Sequence, residues 1–199
     1  MALGLAWGGR VCAQPPVLLV LGDSLSAAYG MNAEAGWVGL LQRHLAARGM
    51  RYQVVNASIS GETTAGGLSR LPSLLETHRP QALVIALGAN DGLRGFAFKT
   101  LSGNLNRMID LSQAAGTRVL LAGIRLPPNY GAAYTEGFQA VFREVAAARQ
   151  VPLVPVLLAG VEDFEMMQAD GIHPSAAAQP RILDNVWAGL EPLLEPTPE

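Results

Sequence analysis

The chain has 199 residues, half of them apolar, and its 14 Lys and Arg against 16 Asp and Glu leave a net charge of −2. That length fits one domain with a sizeable core, and the balance of charge argues against a nucleic-acid binder, which needs a basic patch. No apolar run approaches the roughly 20 residues that span a bilayer, so stable membrane insertion is not expected.

Residues 1–13 hold the one processing signal. Val11-Cys12-Ala13 before Gln14 has the form of a small-x-Ala cleavage site, and Leu3 to Trp7 the form of the end of an apolar h-region. No basic n-region precedes them, so 1–13 reads as a partial leader, followed by one domain over 14–199. Cys12 is the only cysteine. If the leader is removed, disulfide and thiolate chemistry leave with it, and a cysteine metal site is excluded in any case.

Val17 to Leu21 is a continuous apolar run closed by Gly22, the pattern of a strand covered on both faces. Trp37, Leu40, Leu41 and Leu45 recur at helical spacing up to Gly49. Tyr52 to Val55 reads as a second strand and Ala82 to Leu87 as a third, which ends at Gly88. Leu101, Leu105, Met108 and Ile109 mark a helix ending near Gly116, and Val119 to Ala122 a fourth strand. Phe138, Val141, Phe142 and Val145 give another helix, Val154 to Leu158 a fifth strand, and Ile182, Val186 and Leu190 a last helix. Such alternation predicts an α/β fold with a parallel sheet and helices on both faces. Ligands of such sheets bind beyond the carboxyl ends of the strands, which is where Ser24, Gly61 and Asn90 fall.

Ser24, in Gly22-Asp23-Ser24-Leu25-Ser26, is expected to open a helical turn, with its N–H turned toward an incoming anion. The segment is neither a P-loop, nor G-x-G-x-x-G, nor the G-x-S-x-G elbow. Of three histidines, only His173 has a carboxylate at i−3 in a loop, in Asp170-Gly171-Ile172-His173-Pro174. Asp170 can fix its tautomer and leave the other ring nitrogen to deprotonate Ser24. Gly61 can offer a backbone N–H at close range, and Asn90 its side-chain amide, to a developing oxyanion. Ser58, Thr63 and Thr64 read as turn and cap residues. Met166, Met167 and Trp187 read as packing, with both methionines near enough to Asp170 to line a pocket. Arg94 and Arg125 read first as solvated loop charges.

The four ordered blocks G-D-S-L-S, N-A-S-I-S-G, G-A-N-D and D-G-I-H-P resemble those of the SGNH (GDSL) hydrolases. Within that superfamily the chain resembles the bacterial thioesterase I / protease I / lysophospholipase L1 group with its arylesterases, from about residue 16 to 194. Ala89 stands where close relatives often have glycine. The resemblance implies a flavodoxin-like three-layer α/β/α sandwich around about five parallel strands, with no metal and no cofactor. It implies Ser24 as nucleophile, His173 as base, Asp170 as its orienter, and Ser24, Gly61 and Asn90 as the oxyanion hole. The expected partner is a small acyl ester or thioester, on a monomer or weak homo-oligomer. With the partial leader, the resemblance also implies a periplasmic or secreted enzyme. Residues 92–98 and 127–134 are the expected walls of an acyl groove. The rival readings are a carbohydrate acetylesterase on the same scaffold and a non-catalytic flavodoxin-like binding module.

Overall fold

The computed structural model describes residues 14–161 and 163–194, so the leader expected at 1–13 lies outside the described residues. Five strands, β1 (Val17–Gly22), β2 (Gln53–Asn56), β3 (Ala82–Ala86), β4 (Arg118–Ala122) and β5 (Leu153–Val154), pair in parallel in the order β2-β1-β3-β4-β5. The helices are α1 (Trp37–Ala47), α2 (Thr64–His78), a short α3 (Ala89–Leu93), α4 (Phe98–Ala114), α5 (Ala132–Arg149) and α6 (Gln179–Leu190). This is the three-layer α/β/α architecture expected.

Alternation along the strands divides the core between the two faces of the sheet. Leu18 and Val20 of β1, with Val84 of β3, pack on one side against Trp37, Leu41 and Leu45 of α1 and Ile182 and Val186 of α6. Leu19, Leu21 and Ile85 face the other side, against Leu71 of α2, Leu105 and Met108 of α4, and Phe138 and Phe142 of α5. Strands buried on both faces need continuous apolar sequence, which explains the unbroken runs of β1 and β3.

Two elements depart from the expectation. The fifth strand is two residues long, not five, because Pro155 has no N–H to extend the ladder. Helix α2 carries Leu71 and Leu75 on its buried face, but Gly66, Gly67 and Pro72 break up its pattern in the sequence, and it runs on to His78. A Cβ on Gly67 would lie 2.3 Å from Leu87 Cδ1, so a larger residue there would force the buried Leu87 side chain to shift.

The chain leaves β1 toward β2 on one side and continues through β3, β4 and β5 on the other. The direction of winding therefore reverses between β1 and β3. A crevice opens at such a switch point, at the carboxyl ends of the strands.

Candidate active site

Ser24 sits just beyond β1 at that crevice. Ser26 N–H and Ala27 N–H both donate to Asp23 O, which makes one helical turn. Ala28 then takes a left-handed φ of 57° and the turn goes no further. A single turn carries little macrodipole; what it leaves is a backbone N–H at Ser24 with no protein acceptor among the described residues. Gly22 must be glycine, because a Cβ would lie 2.7 Å from Ser26 Oγ and 3.0 Å from Ser58 Oγ.

His173 and Asp170 come to the same place from the long segment after β5. His173 Nε2 lies 3.0 Å from Ser24 Oγ and its Nδ1 2.7 Å from Asp170 Oδ2. The other carboxylate oxygen accepts from Ile172 N–H at 2.9 Å and His173 N–H at 3.0 Å. Chiefly the His173 backbone N–H, then its ring N–H and the Ile172 N–H, hold the Asp170 carboxyl down at about 2. Asp170 is then ionised at neutral pH and can only accept. Nδ1 carries the hydrogen, and Nε2 of a neutral ring offers its lone pair to the serine hydroxyl. Tyr29 packs its ring on the imidazole, 4.3 Å between centroids.

Asn90, in α3, lines the same crevice. Its Nδ2 donates to Glu62 O at 3.0 Å and, at a longer 3.4 Å, to Asp23 Oδ2. Gly61 is one residue from that carbonyl. Its φ of +80° is left-handed, so conformation demands glycine there, whereas a Cβ would meet nothing nearer than Arg94 Nη2 at 3.9 Å. Gly61 N–H, like that of Ser24, donates to no protein acceptor among the described residues. Gly61 does not line the cavity itself; the Glu62–Asn90 bond ties its loop to the site.

Three carboxylates that the sequence did not single out brace this arrangement. Asp91, buried, accepts from Thr64 N–H and Thr64 Oγ1–H, so it fastens the start of α2 to α3. Glu62 receives Arg70 through both Nε and Nη2, which also reaches Ala57 O, and this fixes the loop bearing Gly61. Asp23 lies wholly buried beside Ser24 and accepts from Leu25 N–H. Burial pushes its carboxyl up to about 6, against the lowering pull of the Leu25 N–H, His173 and Asn90.

A cavity of about 810 Å³ opens from Ser24, Asn90 and His173. Its walls include Leu93, Pro127, Pro128, Asn129 and Tyr130 from the two segments expected, and Leu126, Val156, Leu158 and Val161 from segments not expected. Met167 and Arg125 line it, while Met166 packs against the core. Arg94 is bonded to Gly61 O at 3.1 Å. Trp187 is buried against the His44 ring, as a packing residue would be. Thr63 caps α2 by accepting from Gly66 N–H.

A hydroxyl, an imidazole and a carboxylate lie in one hydrogen-bonded line at the mouth of an apolar cavity, the geometry of a serine hydrolase's site. Residues 20–180 match the model of the GDSL-like Lipase/Acylhydrolase family. The chain is 57% identical to "Esterase TesA" of Pseudomonas aeruginosa over 178 residues, 89% of each chain. It is 45% identical to "Thioesterase 1/protease 1/lysophospholipase L1" of Escherichia coli, over 89% of this chain and 84% of that one. The crystal structure of TesA superposes with a TM-score of 0.88, over 89% of this chain and 99% of that one. That of the psychrotrophic esterase EstA from Pseudoalteromonas, inhibited by monoethylphosphonate, superposes at 0.82 with 42% identity, over 88% and 97%. The chain belongs to the GDSL-like lipase/acylhydrolase family, as a carboxylic ester hydrolase of the SGNH type.

Proposed function

We propose that Ser24, His173 and Asp170 form a catalytic triad that hydrolyses acyl and aryl esters, acyl thioesters and lysophospholipids through an acyl-enzyme. The observation that carries this reading is the 3.0 Å approach of His173 Nε2 to Ser24 Oγ, with Asp170 behind the ring. Ser24 Oγ attacks the acyl carbonyl carbon and gives its proton to Nε2. Asp170 stabilises the resulting imidazolium and keeps its orientation. The tetrahedral oxyanion is received by the N–H groups of Ser24 and Gly61 and by the Asn90 amide, which exchanges its long bond to Asp23 for a shorter one. A single such donor contributes about 3–4 kcal/mol to lowering the barrier. His173 then protonates the departing alkoxide or thiolate, and water repeats the sequence on the acyl-enzyme.

The apolar cavity walls favour an acyl chain over the sugar ring that a carbohydrate acetylesterase would have to seat. Export to the periplasm is part of the proposal and rests on the Val11-Cys12-Ala13 pattern with the family resemblance. A p-nitrophenyl ester series from acetate to palmitate, wild type beside Ser24→Ala, tests the whole reading. The expected outcome is activity that the variant loses by about 10⁵–10⁶-fold in kcat, with a chain-length optimum that sizes the cavity. Equal activity in both proteins, or none in either, would refute it.

A further inference from the structure

Among the described residues, the large apolar side chains left exposed are confined to one edge of the molecule. Tyr29 follows β1, Ile59 follows β2, Leu93 and Phe96 belong to the segment after β3, Tyr130 follows β4, and Phe164 and Ile172 follow β5. Every one therefore lies at the carboxyl edge of the sheet, and none on the outward faces of α1, α2, α4, α5 or α6. Exposed apolar residues scattered singly are ordinary, whereas a set confined to one face marks an interaction surface.

The site accounts for only part of the set. Leu93, Tyr130 and Ile172 line the cavity, and Tyr29 covers the imidazole. Ile59, Phe96 and Phe164 do neither, and Phe164 is 89% exposed. Hydrogen bonds join these segments around the mouth. Arg94 donates to Gly61 O at 3.1 Å, Tyr130 Oη to Leu93 O at 3.1 Å, and Gln168 Nε2 to Tyr29 O at 2.8 Å. The apolar tips thus crown a linked rim.

Its charge indicates what it meets. Arg94 and Arg125 are the cations of these segments, with Lys99 at the start of α4, against the exposed carboxylates of Asp163, Glu165 and Asp170, while Glu34 is paired with Arg43. No positive surplus exists to draw an anionic surface. We propose that this edge docks the enzyme on the surface of an aggregated zwitterionic lysophospholipid, with Ile59, Phe96 and Phe164 entering the apolar layer. An acyl chain then passes from the aggregate into the cavity without crossing water. The inference rests on the ester-hydrolase reading of the same mouth.

The test is co-sedimentation of Ser24→Ala protein, which cannot turn over lipid, with sucrose-loaded dioleoylphosphatidylcholine vesicles at about 0.1 M and about 0.5 M NaCl. Binding should be unchanged by salt and weakened about tenfold or more when Ile59→Ser and Phe164→Ser are added. In the active background the same pair should leave p-nitrophenyl acetate hydrolysis within about twofold, yet slow turnover of micellar lysophosphatidylcholine about tenfold. Absence of vesicle binding, binding untouched by the two substitutions, or binding only to anionic vesicles and lost in salt would each overturn the proposal. Concentration-dependent dimerisation abolished by Phe164→Ser, without vesicle binding, would assign the face to a second copy and overturn it too. Inactivity toward the soluble ester instead refutes the proposed function, so the two failures are distinguishable.

Discussion

The two halves of the site are held by different physics. The Gly22–Ala28 segment continues β1, an interior strand; Asp23 and Ser26 in it are buried, and the core fixes its position. The Asp170–Pro174 loop lies about 150 residues further on, with Asp170, Gly171 and Ile172 exposed, and local hydrogen bonds fix its shape. The same residue type shows the contrast. Burial raises Asp23 to about 6, while hydrogen bonds lower Asp170 to about 2. The proposed nucleophile is thus placed by packing and the proposed base by a short polar turn, and the 3.0 Å bond between them couples the two.

Among substitutions that leave Ser24 in place, breaking the polar turn should cost most. Asp170→Asn takes away the charge that selects the Nδ1–H tautomer and is expected to lower kcat about 10⁴-fold with little change in KM. Steady-state kinetics on a soluble ester check it, and a loss under about tenfold would mean that the ring is oriented by something else.

The buried half should show itself in stability rather than rate. Asp23 holds its proton in the folded protein to about pH 6 but loses it near 3.8 when unfolded. The folded state binds the extra proton between those values, so this contribution is present below pH 3.8 and lost as pH rises through about 6. It amounts to about 3 kcal/mol. Asp170 works in the opposite sense, its contribution present above 3.8 and lost as pH falls toward about 2. Urea unfolding of wild type and Asp23→Asn from pH 4 to 8 should show a decline with pH in the wild type that the variant lacks. Parallel curves would contradict the buried acid.

The smallest effect sharpens how the halves are joined. Gln168 Nε2 donates to Tyr29 O at 2.8 Å and to Pro174 O at 3.0 Å, and so ties the late loop to the segment after β1. Gln168→Ala should reduce kcat only several-fold, with Tm lowered by about 4–8 °C, since two hydrogen bonds contribute about 1 kcal/mol each. Unchanged kinetics would mean that the Asp170–Pro174 loop needs no such tie.

Legibility in the sequence followed the same division. The Asp170–His173 pairing is local and could be read from spacing, and Gly61 and Asn90 from the turns that bear them. The bracing carboxylates could not. Asp91 meets Thr64 across 27 residues, and the burial of Asp23 depends on packing against elements far along the chain. Helix α2 was hidden by Gly66, Gly67 and Pro72, and β5 was cut short by Pro155, whose missing N–H matters only once strand pairing is known. The four exposed tips outside the cavity, Tyr29 to Phe164, carried no periodic signal at all.

The most direct test of the account is covalent capture. A p-nitrophenyl alkylphosphonate mimics the tetrahedral adduct, so wild type should release one equivalent of p-nitrophenol and carry one phosphonyl group on the peptide containing Ser24, and Asp170→Asn should react far more slowly. A phosphonyl group on any other residue, or none under conditions where esters are hydrolysed, would contradict Ser24 as the nucleophile.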